Sequence, residues 1–186
     1  MERTSVQKLA RVLRVLVIIT FVCNIVTLYF VPGLALFRGE TDSLQEMTPV
    51  QVVILFNYCW FPTMWAFAEA PASSLVLAVF LLVCGACTAM ILWQGKRVLD
   101  TILKGEPFML KNAANLRQAA VCCFVISGAA LARLVFGLVY YASIRPLLTY
   151  NALFVPVFLV GGLLFLVMSA LFRQAAELKA ENDLTI

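Results

Sequence analysis

Six cysteines are the side chains best suited to covalent chemistry in this chain, and two of them form the motif Cys84-Gly85-Ala86-Cys87. A C-x-x-C pair is typical of thiol–disulfide exchange, which needs a thiolate and a second, mobile thiol pair in water. Here the pair lies in the middle of an apolar stretch, which disfavours the charged thiolate, and only Cys59 is expected in an aqueous loop. We therefore interpret Cys84 and Cys87 as small helix-packing residues, with a membrane thiol oxidoreductase as an alternative.

Other catalytic side chains are scarce. The chain has no histidine, and its long apolar stretches contain no aspartate or glutamate. Metal ligation and proton-coupled chemistry inside a membrane both depend on such groups. We therefore expect no metal, no cofactor and no enzymatic activity.

Arg133 is the one charged residue well inside an apolar stretch. It follows Arg117 by 16 residues, which is about 24 Å along a helix, so its side chain can extend to the far interface. Because the apolar stretches hold no acid, we expect its partner to be Glu69 or a lipid phosphate. Structural anchoring is the favoured role, and binding of an anionic ligand is the alternative.

The composition identifies the environment of these residues. The 186 residues are 63% hydrophobic and only 13% charged, and the mean hydropathy is +0.96. Soluble domains carry about 25% charged residues. Disorder, a disulfide-rich secreted module and a basic nucleic-acid-binding domain are therefore excluded, and the chain is predicted to be an integral membrane protein in contact with the lipid bilayer.

Apolar length predicts four membrane spans, since about 20 residues cross the hydrocarbon and only helices satisfy an isolated segment's backbone there. The expected fold is all-α, a four-helix bundle formed by a single membrane domain, 1–186. The predicted spans are 14–36, 73–94, 118–141 and 152–172. Small residues at Gly128, Ala129, Ala132, Gly161 and Gly162 are expected at helix contacts, within the bundle or in a homodimer.

Charge asymmetry predicts that both termini are cytoplasmic. With four spans and both termini inside, the cytoplasmic side carries 11 cations and 6 acids, and the outer side carries 2 cations and 4 acids. This excess of cations inside is what the positive-inside rule requires. The charge asymmetry favours a cytoplasmic membrane, and the family resemblance given below implies that this is the bacterial cytoplasmic (inner) membrane. A further apolar stretch, 49–68, begins with the helix-start signal Thr48-Pro49 and is predicted to be an outer-side interfacial helix. A re-entrant hairpin and a fifth span are the alternatives.

The inner loop 95–117 is the most informative segment. Val98, Leu99, Ile102 and Leu103 share one helical face, which predicts a short amphipathic helix lying on the inner leaflet. Gly105 and Pro107 indicate a turn, and the ring of Phe108 is expected to be buried against the bundle.

At this loop the sequence resembles a widespread bacterial four-helix membrane family of undetermined function. That family has a G-x-P-F turn, a polar residue four positions after the Phe, and a Leu-Arg pair eight and nine positions after it. Thr commonly follows the Phe and suits a helix cap, but this chain has Met109. The matching residues are Gly105, Pro107, Phe108, Asn112, Leu116 and Arg117.

Members of that family are often encoded beside a small Cro/CI-like helix-turn-helix regulator. The resemblance therefore implies a link to transcriptional control and no catalytic residues. We expect a non-catalytic membrane protein whose inner loop and tail contact a cytosolic helix-turn-helix regulator, without binding nucleic acid itself. A small transporter or lipid-binding bundle that uses Arg133 is the alternative, although coupled transporters need intramembrane acids or broken helices.

Overall fold

Four long helices make up nearly all of the part of the chain that the computed structural model describes, residues 5–36, 48–50 and 72–184. Each contains a segment long and apolar enough to cross a membrane, which confirms the predicted all-α, four-span fold. The helices are α1 (Ser5–Leu36), α2 (Ala72–Leu103), α3 (Leu110–Tyr141) and α4 (Tyr150–Leu184), with a 3₁₀ turn at Arg145–Leu148 before α4.

The helices run antiparallel in sequence order. Between α1 and α2, Arg14 pairs with Asp100 and the ring of Phe21 contacts that of Trp93. Residue numbers therefore rise along α1 as they fall along α2, which means that the two helices are antiparallel. The same holds between α2 and α3, where Gln94 donates a hydrogen bond to Gln118. Between α3 and α4 the contacts include Ala113–Ser169 and Ser127–Val155.

This order places the start of α1, the α2–α3 turn and the end of α4 at one end of the bundle. We call this the basic end, because of the cations described below. The opposite end carries the 3₁₀ turn, and we call it the pocket end. The end of α1 and the start of α2 both lie there, as a four-span topology requires.

Helix α3 is central. A third of the residues in its most apolar 18-residue segment are buried, compared with 11% in the same kind of segment of α2, 6% in α4 and none in α1. Its buried positions are mostly small, which lets neighbouring helices approach closely. Those small and polar positions on α3 are Asn112, Ala113, Asn115, Ala119, Ala120, Cys123, Ser127, Ala130 and Gly137.

Of the three glycines predicted at helix contacts, Gly162 is confirmed within the bundle, Gly128 and Gly161 are not, and Gly85 lies at a further contact. A Cβ on Gly162 would lie 2.8 Å from the ring of Phe124, and one on Gly85 would lie 2.5 Å from Leu28. Gly128 and Gly161 have nothing within 4 Å of that position. Which of two adjacent glycines forms a contact depends on how each helix is rotated about its axis.

The expected surface helix within 95–117 is wrong, because residues 95–103 continue α2 without a break. Val98 and Leu99 are buried by the bundle and do not face a leaflet. Pro49 and Val50 are helical, but the remainder of the predicted interfacial helix, and Glu69, lie outside the described residues.

Candidate functional sites at the two ends of the bundle

Gly105 ends α2 at the basic end. It has a φ of +83°, a left-handed conformation that glycine adopts without steric cost. The N–H of Gly105 donates to the carbonyl of Ile102 at 3.1 Å, and that of Glu106 to the carbonyl of Thr101 at 3.1 Å. This pair of bonds is a Schellman motif, which satisfies the last carbonyls of a helix. The predicted turn is therefore present and rigidly closed.

Asn112 ties the turn to both helices. It is fully buried, and its Nδ2 donates to the carbonyl of Pro107 at 2.7 Å and to the Thr101 hydroxyl at 2.6 Å. That hydroxyl in turn donates to the carbonyl of Val98 at 2.7 Å. The polar residue of the family pattern thus holds the end of α2 and the turn against the start of α3.

The other residues of the pattern differ in exposure. The ring of Phe108 lies 6.1 Å from that of Phe172, but the residue is 49% exposed, so the expected burial is only partial. Leu116 is half-buried and Arg117 is exposed. Met109 precedes α3 without a side-chain cap, as an apolar residue at this position dictates.

Cations dominate the surface at the basic end. Eight exposed cations face only three exposed acids among the residues whose side chains are described there. Arg14 and Asp100 form an ion pair, with Nε and Oδ1 2.8 Å apart, although the N–H is not directed at that oxygen. The exposed cations are Lys8, Arg11, Arg97, Lys104, Lys111, Arg117, Arg173 and Lys179.

At the pocket end the chain folds back over α3. Ala142 has a φ of 44° and ends the helix, and the 3₁₀ turn then packs on Gly137. A Cβ on that glycine would lie 3.3 Å from the ring of Pro146, so the turn approaches this closely because Gly137 has no side chain.

Arg133 is held in place below this turn. Its Nη1 donates to Asn151 Oδ1 at 2.8 Å, and its guanidinium lies 4.8 Å from the centre of the Phe80 ring, within the range of a cation–π interaction. These contacts join α2, α3 and α4, which supports the predicted anchoring role. The expected partner Glu69 lies outside the described residues.

A cavity of about 570 Å³ opens beside Arg133. Sequence analysis missed it, because its second cation, Arg145, comes from the turn and its hydroxyls come from three separate elements. In the sequence, the one indication of this cavity is Arg133, the arginine inside an apolar stretch. The described residues that line the cavity are Ser73, Val76, Arg133, Leu134, Phe136, Gly137, Tyr141, Ser143, Arg145, Pro146, Thr149 and Asn151.

The five cysteines in the described residues are all free, and the thiols of Cys87 on α2 and Cys122 on α3 lie close enough to interact. Within these same residues, no cluster of three or more His, Cys, Asp or Glu side chains could hold a metal ion. The arrangement fits the interpretation of Cys84 and Cys87 as packing residues.

Four long apolar helices with a closed turn at one end and a polar cavity at the other define a multi-pass membrane protein of the four-helix class. The chain belongs to the family described as protein of unknown function (DUF2975), whose model matches residues 7–186. Neither the curated proteins nor the solved structures include one that matches it.

Proposed function

We propose that this protein is a non-catalytic membrane anchor in the bacterial inner membrane whose basic end binds a cytosolic helix-turn-helix regulator. The positive-inside rule supports a cytoplasmic location for the basic end. In this orientation both termini and the α2–α3 turn face the cytoplasm, and the pocket end faces outwards.

The observation that carries the proposal is the shape of the α2–α3 hairpin. Helix α2 continues through 95–103 beyond its predicted span, and α3 begins with 110–117 before its own. Eight or nine helical residues correspond to about 12–13 Å, so the tip of the hairpin stands clear of the membrane boundary. The Asn112 hydrogen bonds keep this tip rigid, which lowers the entropic cost of binding a partner.

The tip exposes apolar and basic side chains together. Phe108, Met109 and Leu110 are 49%, 38% and 59% exposed, and they lie between two exposed lysines. An apolar centre with a charged rim is the usual composition of a protein-binding surface. We call Lys104, Phe108, Met109, Leu110 and Lys111 the hairpin patch, and it fits a partner surface with an apolar pocket and acidic surroundings.

Site-specific photo-cross-linking in cells tests this proposal. A photoreactive amino acid replaces Phe108, and a control replaces Leu159, an exposed residue in the middle of α4. We expect Phe108 alone to cross-link to a helix-turn-helix protein, identified by mass spectrometry. Cross-links to lipid only, or to the same extent from both positions, would overturn the proposal.

Charge reversal separates a specific contact from general attraction. The double variant Lys104→Glu, Lys111→Glu is expected to abolish the cross-link. The matched control, Lys8→Glu with Lys179→Glu, makes the same change in charge elsewhere at the basic end and is expected to retain it. Equal loss in both variants would contradict docking at the hairpin patch.

A further inference from the structure

We propose that the pocket end binds an anionic amphiphile, with a phosphate headgroup in the cavity beside Arg133 and an acyl chain in the adjoining groove. This inference is independent of the docking proposal, since it concerns the opposite end of the molecule and other residues.

The charge of the cavity wall selects an anion. Two guanidinium groups, from Arg133 and Arg145, line it together with the hydroxyl-bearing residues Ser73, Ser143 and Thr149. None of its described lining residues is a carboxylate. Arginine forms charge-assisted, often bidentate hydrogen bonds to phosphate. The Ser73 and Ser143 hydroxyls donate to the remaining oxygens, whereas the Thr149 hydroxyl already donates to the Pro146 carbonyl. A phosphate group matches this set of donors.

Arg133 is already oriented for this role. The contacts with Asn151 and Phe80 fix the direction of its guanidinium before any ligand arrives, so little rotamer entropy remains to be lost on binding. The 3₁₀ turn fixes the backbone of Arg145, because Pro146 packs directly on Gly137. The two cations thus come from separate elements that meet at the cavity.

The adjoining groove selects an amphiphile over a free anion. A groove of about 410 Å³ between α2 and α3 shares Val76, Arg133 and Phe136 with the cavity. Its other lining residues are apolar, and they extend from the cavity to Val83 and Ala129. Both positions are seven residues deeper along their helices, about 10 Å further towards the middle of the membrane. A headgroup site continuous with an apolar groove suits a lipid-like molecule.

Binding of short-chain lipids to the purified full-length protein in a nonionic detergent tests the proposal. The probes are dihexanoyl phosphatidylglycerol, which is anionic, its zwitterionic phosphatidylcholine counterpart, and inorganic phosphate. Native mass spectrometry gives the affinity, and the thermal unfolding midpoint gives an independent reading. We expect phosphatidylglycerol to bind and to raise the midpoint, and the other two probes to have little effect.

Two kinds of variant locate the binding site. Arg145→Met is expected to weaken phosphatidylglycerol binding about tenfold or more, as for a lost hydrogen bond to a charged group, whereas Arg11→Met at the basic end leaves it unchanged. Ala132→Phe fills the groove and is expected to weaken binding, whereas Ala170→Phe on the exposed side of α4 does not. If Ala132→Phe does not fold, Ala129→Leu fills the same groove with a smaller side chain.

Three results would overturn the proposal. Equal binding of the two lipids would show that the site does not distinguish an anionic headgroup from a zwitterionic one. An equal response to inorganic phosphate would make the cavity a site for free anions. Unchanged binding by Arg145→Met would place the lipid elsewhere on the protein.

Discussion

At the basic end the polar side chains between α2 and α3 bond to one another, whereas at the pocket end they surround a cavity. The Asn112 amide nitrogen and the Thr101 hydroxyl form hydrogen bonds within the protein at 2.6–2.7 Å, and only Asn112 Oδ1 in this cluster has no partner. Arg133 and Asn151 bond to each other, but they also line an open volume of about 570 Å³. A closed polar cluster makes a scaffold rigid, and an open one leaves room for a ligand.

The two ends of the bundle therefore suit different kinds of partner. At the basic end the hairpin presents an exposed tip with apolar and basic side chains, which suits a macromolecular partner. At the pocket end the binding surface is concave and polar, and it suits a small molecule. Changes that break the Asn112 cluster should affect stability, and changes at the cavity rim should affect ligand response.

Asn112→Ala is expected to have the largest effect. It removes two hydrogen bonds at a fully buried position and leaves a small cavity, which together cost about 2–3 kcal/mol. The free energy of unfolding in detergent checks the prediction. Thr101→Val removes the hydroxyl's bonds to Asn112 and Val98 but keeps the Asn112–Pro107 bond and the buried amide, so it should cost less. An unchanged free energy for Asn112→Ala would mean that the turn is held by other contacts.

The sequence predicted this turn but not the bonds that hold it. Gly105 and Pro107 indicate a chain reversal from their backbone preferences alone, and Asn112 was singled out through the family resemblance. Its partner Thr101 lies 11 residues earlier, on the preceding helix. A single sequence carries no signal for such a pair, because the register between two helices is set by packing.

Arg133→Met is expected to cost about 2 kcal/mol, since it removes a cation–π contact and a hydrogen bond to Asn151. Thermal unfolding in the absence of lipid measures the loss. Arg145→Met, on the exposed rim, should leave this free energy unchanged while weakening ligand binding. Equal destabilisation by both variants would show that Arg145, like Arg133, anchors the bundle.

Gly162→Ala is expected to cost about 1–2 kcal/mol through overpacking against the ring of Phe124. Gly161→Ala is the matched control, because a Cβ there meets nothing within 4 Å and alanine favours the helix by about 1 kcal/mol. The difference between their unfolding midpoints checks the α3–α4 contact. Similar midpoints would place the contact elsewhere.

These two glycines also show why the helix contacts could not be predicted in full. Hydropathy indicates that a helix spans the membrane, and small residues indicate that a neighbour is near. Rotation about the helix axis decides which small residue faces that neighbour, and α4 is apolar on all sides, so no polar face marks its orientation. The cavity escaped prediction for a related reason, since it depends on how the 3₁₀ turn folds back.

Arg14→Gln is expected to have the smallest effect, below about 1 kcal/mol, because the ion pair with Asp100 is partly exposed. The side chains are 43% and 32% exposed, so salt should screen the contact. Unfolding measured at low and high ionic strength checks this, and the wild type and the variant should converge at high salt. A loss of several kcal/mol would indicate that the pair is what holds α1 on α2.

Thiol labelling in intact cells tests the orientation of the two ends most directly. Lys104→Cys marks the α2–α3 turn, and Leu148→Cys, at an 86% exposed position, marks the pocket end, with the wild type as background. A membrane-impermeant maleimide should label Leu148→Cys in intact cells and Lys104→Cys only after the cells are permeabilised. Labelling of Lys104→Cys in intact cells would place the basic end outside and contradict the proposed cytosolic docking.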